Sequence, residues 1–290
     1  MKNSLLICIL SLFLFCRCVE EIEPIYVDQT HIIIKGKIEY PSNHVTLSIM
    51  ESSTTKKYEE KIFSKANIKL YTRTKNGNES MLADRFVFDS NKKQFLSTTK
   101  IPTSIGNSYW ITISLPEREG IYQSTPETML TPVPIKKIEK DSVYDDYYRI
   151  VFADPKEEHN QYSASFFFSN DEHEQGQLEI TTSEDTLFNG NEDAYLERFF
   201  GQAGKTTIVS ATLFNISPET YRFYKNLLIQ GEQNENYGGT HYEMGNPEIL
   251  FRTPPVQLQS NLYNTENPRE LVLGNFAAMA ASHYTKRFDN

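Results

Sequence analysis

The sequence predicts a mainly β protein of two domains. Three observations lead there. There are 17 tyrosines and 18 phenylalanines against one tryptophan, in a chain rich in Thr and Ser. Apolar and polar residues alternate in short runs. Turn residues recur at close spacing between those runs. Roughly 270 residues beyond the leader suit two cores of ordinary size.

The leader is residues 1–17. Lys2 supplies a basic start, and 5–15 (LLICILSLFLF) is an apolar run of secretory-signal length, shorter than the ~20 residues that span a bilayer. The small-residue site of an ordinary signal peptidase is missing. Instead Cys16 and Cys18 stand where the apolar run meets the polar chain, which is where a lipoprotein is cut and acylated. Cys18 is the expected acylation site, because acids follow it directly at Glu20, Glu21 and Glu23. Cys16 is the alternative, and an ordinary cleaved signal without an acyl chain is the other. All three cysteines, Cys8, Cys16 and Cys18, lie in or at the end of this leader. The mature domains therefore have no disulfide, thiol nucleophile or thiolate metal site, and their stability comes from packing.

The leader takes Lys2 and Arg17 and no acid. The mature chain keeps 27 of the 29 basic residues against all 38 acidic ones, 27 − 38 = −11. That balance excludes nucleic acid and anionic membrane faces as partners, since both are read with clustered Lys and Arg.

Residues 18–29 form an acidic tether, and a β-sandwich domain follows over 30–124. Its strands are expected at 31–38 and 45–49 around a Pro41-Ser42-Asn43 turn, then at 66–71, 85–88, 94–96 and 108–114. Residues 51–61 read as a long loop or a ragged sheet edge, and Lys75-Asn76-Gly77-Asn78 as a turn. Short strands at this spacing indicate an immunoglobulin-like or transthyretin-like sandwich, with Trp110 in its core. Residues 125–135 concentrate three prolines and form an extended linker, because proline fixes φ and removes a donor.

The second domain, 136–290, is β-rich with one or two helices packed on a sheet. Strands are expected at 147–152, 161–168, 177–182 and 206–214, with a short helix over 193–202. A second helix spans 218–230: Ser217 is an N-cap, Pro218 opens it, and Glu219 complements its dipole. Tyr221, Tyr224, Leu227 and Leu228 form its apolar face, and Gly231 is a stop signal. Residues 232–248 form a long polar and aromatic loop. Strands at 256–262 and 271–280 close the chain.

The order of these landmarks resembles a family of Bacteroidota lipoproteins known as domain of unknown function 4249. The resemblance is carried by Cys18-Val19-Glu20-Glu21-Ile22-Glu23-Pro24, the strand 32–38 and Pro132-Val133-Pro134-Ile135. It continues through Phe152-Ala153-Asp154-Pro155 with Asn160-Gln161-Tyr162, the 217–230 helix, Ser260-Asn261-Leu262 and Leu273-Gly274-Asn275-Phe276-Ala277. The chain departs from the pattern in its cysteine doublet and at Asn275, where a bulkier residue is usual. The resemblance implies an outer-membrane lipoprotein of two mainly β domains with no assigned activity. It implies the cell-surface leaflet, with the periplasmic leaflet as the alternative, and work beside a TonB-dependent-receptor-like barrel. It carries over no catalytic residues.

No HExxH, GxSxG, P-loop or dinucleotide fingerprint occurs. The six histidines, His31, His44, His159, His173, His241 and His283, are not spaced for a metal. The acidic stretches 154–160 and 169–174 offer oxygen ligands without the glycine placement of an EF-hand, so no metal is expected. Asp145 and Asp146 are adjacent on an extended chain and point to opposite faces. The aromatic loop carrying Tyr237, His241 and Tyr242 is the candidate binding element, since such rings stack on sugars or anchor interfaces. The resulting expectation is a non-catalytic surface lipoprotein without cofactor, capturing a ligand of unknown class, small molecule or glycan, for a membrane barrel or supporting that barrel. The alternatives are an assembly subunit that binds only protein and an unrecognised hydrolase.

Overall fold

The computed structural model describes residues 30–51, 61–144, 146–156, 158–170, 176–201, 206–235 and 260–289. In the first half the described strands are β1 (Ile32–Tyr40), β2 (His44–Glu51), β3 (Lys61–Ile62), β4 (Asn67–Arg73), β5 (Glu79–Ala83), β6 (Phe86–Asp89), β7 (Gln94–Ser97), β8 (Ser108–Ser114), β9 (Ile121–Ser124) and β10 (Glu127–Thr128). The second half contributes β11 (Ile135–Lys140), β12 (Tyr147–Phe152), β13 (Gln161–Asn170), β14 (Gln177–Glu184), β15 (Ala194–Phe199), β16 (Thr206–Ile216), helix α1 (Pro218–Glu235), β17 (Leu262–Asn264) and β18 (Val272–Asp289).

These strands make three sheets. The largest runs β14-β13-β16-β18-β1-β2-β7-β6, the second runs β17-β9-β8-β4-β5 with β10 added to β8, and the third is β11-β12-β15. The β18-β1-β2-β7 half of the long sheet packs on the second sheet around Ile34, Ile38, Leu47, Ile49, Leu70, Ile111, Ile113 and Phe276. Its other half packs on the third sheet around Tyr148, Ile150, Phe152, Tyr162, Phe166, Phe168 and Leu213. The protein is therefore two β-sandwiches that share one sheet.

The shared element is β18, 18 residues long, which at about 3.3 Å per residue extends over roughly 55 Å. Its beginning pairs in parallel with β1, Ile32 opposite Val272, and it pairs antiparallel with β16 through to Thr206 opposite Asp289. The segment 272–281 is buried throughout, because both of its faces are covered. Val272, Phe276, Ala278 and Ala280 face the first sandwich core. Leu273, Ala277, Met279 and Ala281 face α1, where they meet Tyr221, Phe223, Tyr224 and Leu227. A strand buried on both sides reads as a continuous apolar run and not as an alternation, as VLGNFAAMAA does. The closing strand that the sequence assigns to the second domain thus also completes the sheet of the first.

The expected helix at 193–202 is instead strand β15. Ala194 and Leu196 point into the second core while Tyr195, Glu197 and Phe199 point out, and pairing with β12 from Tyr147–Phe199 to Phe152–Ala194 imposes the period of two. Among the described residues α1 is the one α-helix, and it runs through Gly231 to Glu235. Its predicted start holds: the Thr220 N–H donates to Ser217 Oγ at 3.1 Å. Trp110 is buried but outside the core. It lies on the outer face of the second sheet, stacked on Tyr71 at 5.6 Å with the Arg73 guanidinium 5.7 Å away. The edge strand β14 is blunted by Arg198, which donates from Nε and Nη2 to the Ile180 carbonyl at 3.2 and 2.7 Å, removing an acceptor that a foreign strand would use.

Gly274 is required where β18 meets β1. Its φ is +111°, and a Cβ there would lie 1.9 Å from the Ile34 carbonyl oxygen. Backbone must move to admit any side chain. Gly274→Ala is expected to lower the unfolding free energy by about 3 kcal/mol or more in urea denaturation, well beyond the typical cost of a surface substitution.

Candidate functional site

Where the linker, α1, the segment before β17 and β18 meet, a cluster of polar side chains is sealed from solvent. Glu127, from the expected proline-rich linker, is 3 % exposed, and Ser217, Thr220, Asn261 and Asn275 are buried around it. Ser217 Oγ donates to Glu127 Oε2, Thr220 Oγ1 donates to the same oxygen at 3.3 Å, and Asn261 Nδ2 donates to Oε1 at 3.2 Å. Asn261 also grips β18 like a short strand: its Oδ1 accepts from the Phe276 N–H at 2.9 Å and its Nδ2 donates to the Phe276 carbonyl at 2.8 Å. Asn275 Nδ2 donates to Thr220 Oγ1 at 3.2 Å. Burial pushes the Glu127 carboxyl above the ordinary carboxylate range, with Glu219 adding to the shift, against the opposing pull of the Ser217, Asn261 and Thr220 hydrogen bonds.

The Asp-Pro turn is spent in the same way. Asp154 Oδ1 accepts from the Tyr162 hydroxyl at 2.5 Å and Oδ2 from the Gly190 N–H at 2.8 Å. Asp185 Oδ2 accepts from the Asn160 N–H at 2.7 Å. Asn160 Oδ1 in turn accepts from Asn215 Nδ2 at 3.1 Å. These carboxylates hold turns together. Among the described residues no three of His, Cys, Asp and Glu are grouped to hold a metal ion. A shallow open groove of about 470 Å³ beside the start of α1 is lined by Gln161, Glu184, Tyr221, Arg222 and Lys225. Its cations are engaged, Arg222 with Glu219 at 2.9 Å and Lys225 over the Tyr221 ring at 5.4 Å.

The outward face of the β11-β12-β15 sheet is different. Tyr147 and Phe199 are directly opposite in register, with ring centres 5.4 Å apart, and Tyr144 lies 5.8 Å from Tyr147. Behind this row comes Arg149 opposite Glu197, then Val151 opposite Tyr195, and the Arg149 guanidinium lies 4.7 Å from the Tyr195 ring. Tyr144, Tyr195 and Phe199 are each about half exposed or more, at 65 %, 48 % and 51 %. Pairing of β15 with β12 positions Tyr195 and Phe199, and Asp141 positions Tyr144. Its Oδ1 accepts from the N–H groups of Val143 and Tyr144 at 2.7 and 2.9 Å, and its Oδ2 pairs with Arg149. The Asp141 N–H bonds the Tyr147 carbonyl at 2.8 Å and the Tyr147 N–H bonds the Tyr144 carbonyl at 3.0 Å. The Tyr144 ring is thereby held in water beside Tyr147 and Phe199.

The profile of the family described as Domain of unknown function (DUF4249) matches residues 19–285. The chain belongs to this family. No curated protein matches it in sequence. Among solved structures it is similar to the chicken interferon gamma receptor alpha chain in its selenomethionine form, at 13 % identity over 64 % of this chain and 88 % of that one, with a TM-score of 0.22. A segment of two fibronectin type III domains from chicken tenascin gives 12 %, 59 %, 83 % and 0.20, and the calcium binding domain CBD12 of CALX1.1 gives 6 %, 88 %, 98 % and 0.20. With superpositions this loose, the sandwich architecture of this DUF4249 protein rests on its own strand order and two cores.

Cys16, Cys18, Tyr237, His241 and Tyr242, the residues singled out in the sequence, all lie outside the described residues, as does Asp145. The histidines that are described do not converge: His159 Nδ1 is 3.6 Å from Asp185, and His283 Nδ1 is 2.9 Å from Thr212 Oγ1. Sequence reasoning missed the aromatic face. The available signal was Tyr195 and Phe199 at alternate outward positions of 194–199, hidden by the helical reading of that segment. It also missed Glu127, a lone acid in a proline-rich stretch.

Asn261→Ala strands the N–H and carbonyl of Phe276 in the interior, and a loss of about 2–4 kcal/mol is expected in urea unfolding. Glu127 supplies a pH signature. Its raised folded-state pKa means the native state binds the proton more tightly than the unfolded chain. The stabilisation is complete below the ordinary value of 4.5 and is lost as pH rises through the folded value. Unfolding free energies of the wild type minus those of Glu127→Gln are therefore expected to fall from pH 4.5 upward, and a flat difference would show that the carboxyl titrates normally.

Proposed function

We propose that this protein is a non-catalytic lipoprotein of a Bacteroidota outer membrane, acylated at Cys18, with Cys16 as the alternative. Held at the cell surface, it captures a ligand for, or docks on, a TonB-dependent-receptor-like barrel. One observation supports this most: the first described residues and the exposed aromatic face are at opposite ends of β18. Residue 30 leads into Ile32, which pairs with Val272, whereas Tyr148, next to the aromatic row, packs its ring 5.1 Å from that of Phe288. Those two points of β18 are separated by roughly 50 Å of strand. A chain anchored at its N-terminus would present the face away from the anchor. The buried carboxylates and hydroxyls of the two clusters bind one another or the backbone, an arrangement suited to architecture. A structural subunit that binds only protein is the second reading, favoured by the exposed Phe167, Leu178 and Ile208 on the outer face of the long sheet.

The test is a mild-detergent pull-down of the full-length tagged protein, with Cys18→Ala as control and mass spectrometry of both partners and the N-terminal peptide. A diacylglyceryl-modified Cys18 and a stoichiometric barrel lost in the variant are expected. An unmodified N-terminus would overturn the lipoprotein reading, and a lipidated protein recovered alone would overturn the stable complex.

A further inference from the structure

We propose that the outward face of the β11-β12-β15 sheet is a stacking platform for a neutral oligosaccharide. The proposal rests on the capture reading above and names its ligand class. Three features of the face carry it. The first is shape: Tyr144, Tyr147 and Phe199 are in mutual contact on an open sheet surface, with centres 5.8 and 5.4 Å apart and planes tilted by 55° and 51°, so the strip is a stepped surface on which the exposed rings of Tyr144 and Phe199 are offered to a sugar chain. An open row suits an extended polymer better than a compact molecule, which binds in a concavity.

Charge is the second feature. The face is polar, and Arg149, Lys137 and Lys136 are each engaged: Arg149 pairs with Asp141, Lys137 with Glu139 at 2.6 Å, and at its margin Lys136 with Glu192 and Asp193 at 3.4 and 3.7 Å. Glu197 stands opposite Arg149 in the ladder. An anionic partner finds no spare cation there and has to break existing pairs to bind. A sugar asks for neither. Its C–H face lies on an aromatic ring while its hydroxyls bond to carboxylate, guanidinium and phenol groups at the rim.

Preorganisation is the third. The Asp141 side chain fixes the backbone of Val143 and Tyr144 and holds Arg149 beside the rings. Binding then costs little ordering, which is what a weak, repeated stacking contact needs. Arg149 over Tyr195 leaves the opposite side of that ring as a further place for a sugar at the far end of the face.

The experiment is isothermal titration of the full-length protein in detergent with neutral hexasaccharides, namely cellohexaose, laminarihexaose, mannohexaose and maltohexaose, and with hexagalacturonate as the anionic counterpart. Saturable binding of at least one neutral chain is expected, stronger than that of hexagalacturonate and weakened about tenfold or more in Tyr144→Ala/Phe199→Ala. Both residues are exposed, so the variant is expected to keep the wild-type unfolding midpoint. Asp141→Ala, which frees the turn and leaves the aromatic side chains themselves unaltered, is expected to weaken binding with the midpoint lowered. No saturable binding of any neutral chain, equal binding by the aromatic variant, or preference for the anionic chain would each overturn the proposal. The pull-down repeated on Tyr144→Ala/Phe199→Ala separates the two readings. A barrel retained while sugar binding is lost supports the platform, and a barrel lost with no sugar binding in the wild type makes the face a protein interface and overturns it.

Discussion

Everything in this molecule is arranged around a strand that must be buried on both sides for half its length. Residues 272–281 of β18 give their even side chains to the first core and their odd ones to α1. Neither sandwich is complete without this strand, because it is hydrogen-bonded to β1 on one edge and to β16 on the other. The small side chains Ala277, Ala278, Ala280 and Ala281 let layers approach from both sides. A larger residue at any of them would have to displace a packed neighbour.

Such a strand leaves a problem at the crossing of linker, helix and sheet, where backbone groups have no sheet partner. The buried cluster of Glu127, Ser217, Thr220, Asn261 and Asn275 answers it. Asn261 supplies the missing ladder bonds to Phe276, and Glu127 collects the hydroxyl and amide donors around the first turn of α1. Burying a carboxylate without a cation is costly, and the raised affinity of Glu127 for its proton is that cost made visible. In return the network satisfies groups from four separate segments and leaves only one relative placement of them fully bonded.

Several landmarks that carry the family resemblance turn out to be parts of this construction. Ser217 and Asn261 lie in the cluster, Gly274 permits β18 to approach β1, and Asp154 with Tyr162 closes the turn of the second sandwich. Recognising the family is thus recognising its joints. The aromatic row at the far end belongs to none of these joints. Asp141 holds Tyr144 and strand pairing holds Tyr147 and Phe199, on the outward side of a sheet whose inward side already fills the core. Exposure of that kind is unfavourable for the isolated chain, which is why the face is the one proposed for contact.

How much was legible in the sequence follows how local each cause is. The start of α1 depends on Ser217, Pro218 and Glu219, neighbours in the chain, and it appears where they indicate. The strands 147–152 and 206–216 alternate or run apolar strongly enough to be recognised alone. Segment 194–199 was misread because its residues tolerate a helix, and only pairing with β12 selects the extended form. Trp110 looked like core because it is large and apolar, yet the pleat of β8 gives the core to Tyr109, Ile111 and Ile113 and sends Trp110 to the other face. By itself the sequence determined the β class and the start of the capped helix, since these arise from contacts within a few residues. Only the tertiary structure decided that the first and last strands lie side by side, that Glu127 is buried, and that Tyr144, Tyr147 and Phe199 form one row. Those outcomes depend on pairing between segments far apart in the chain, which no local pattern encodes.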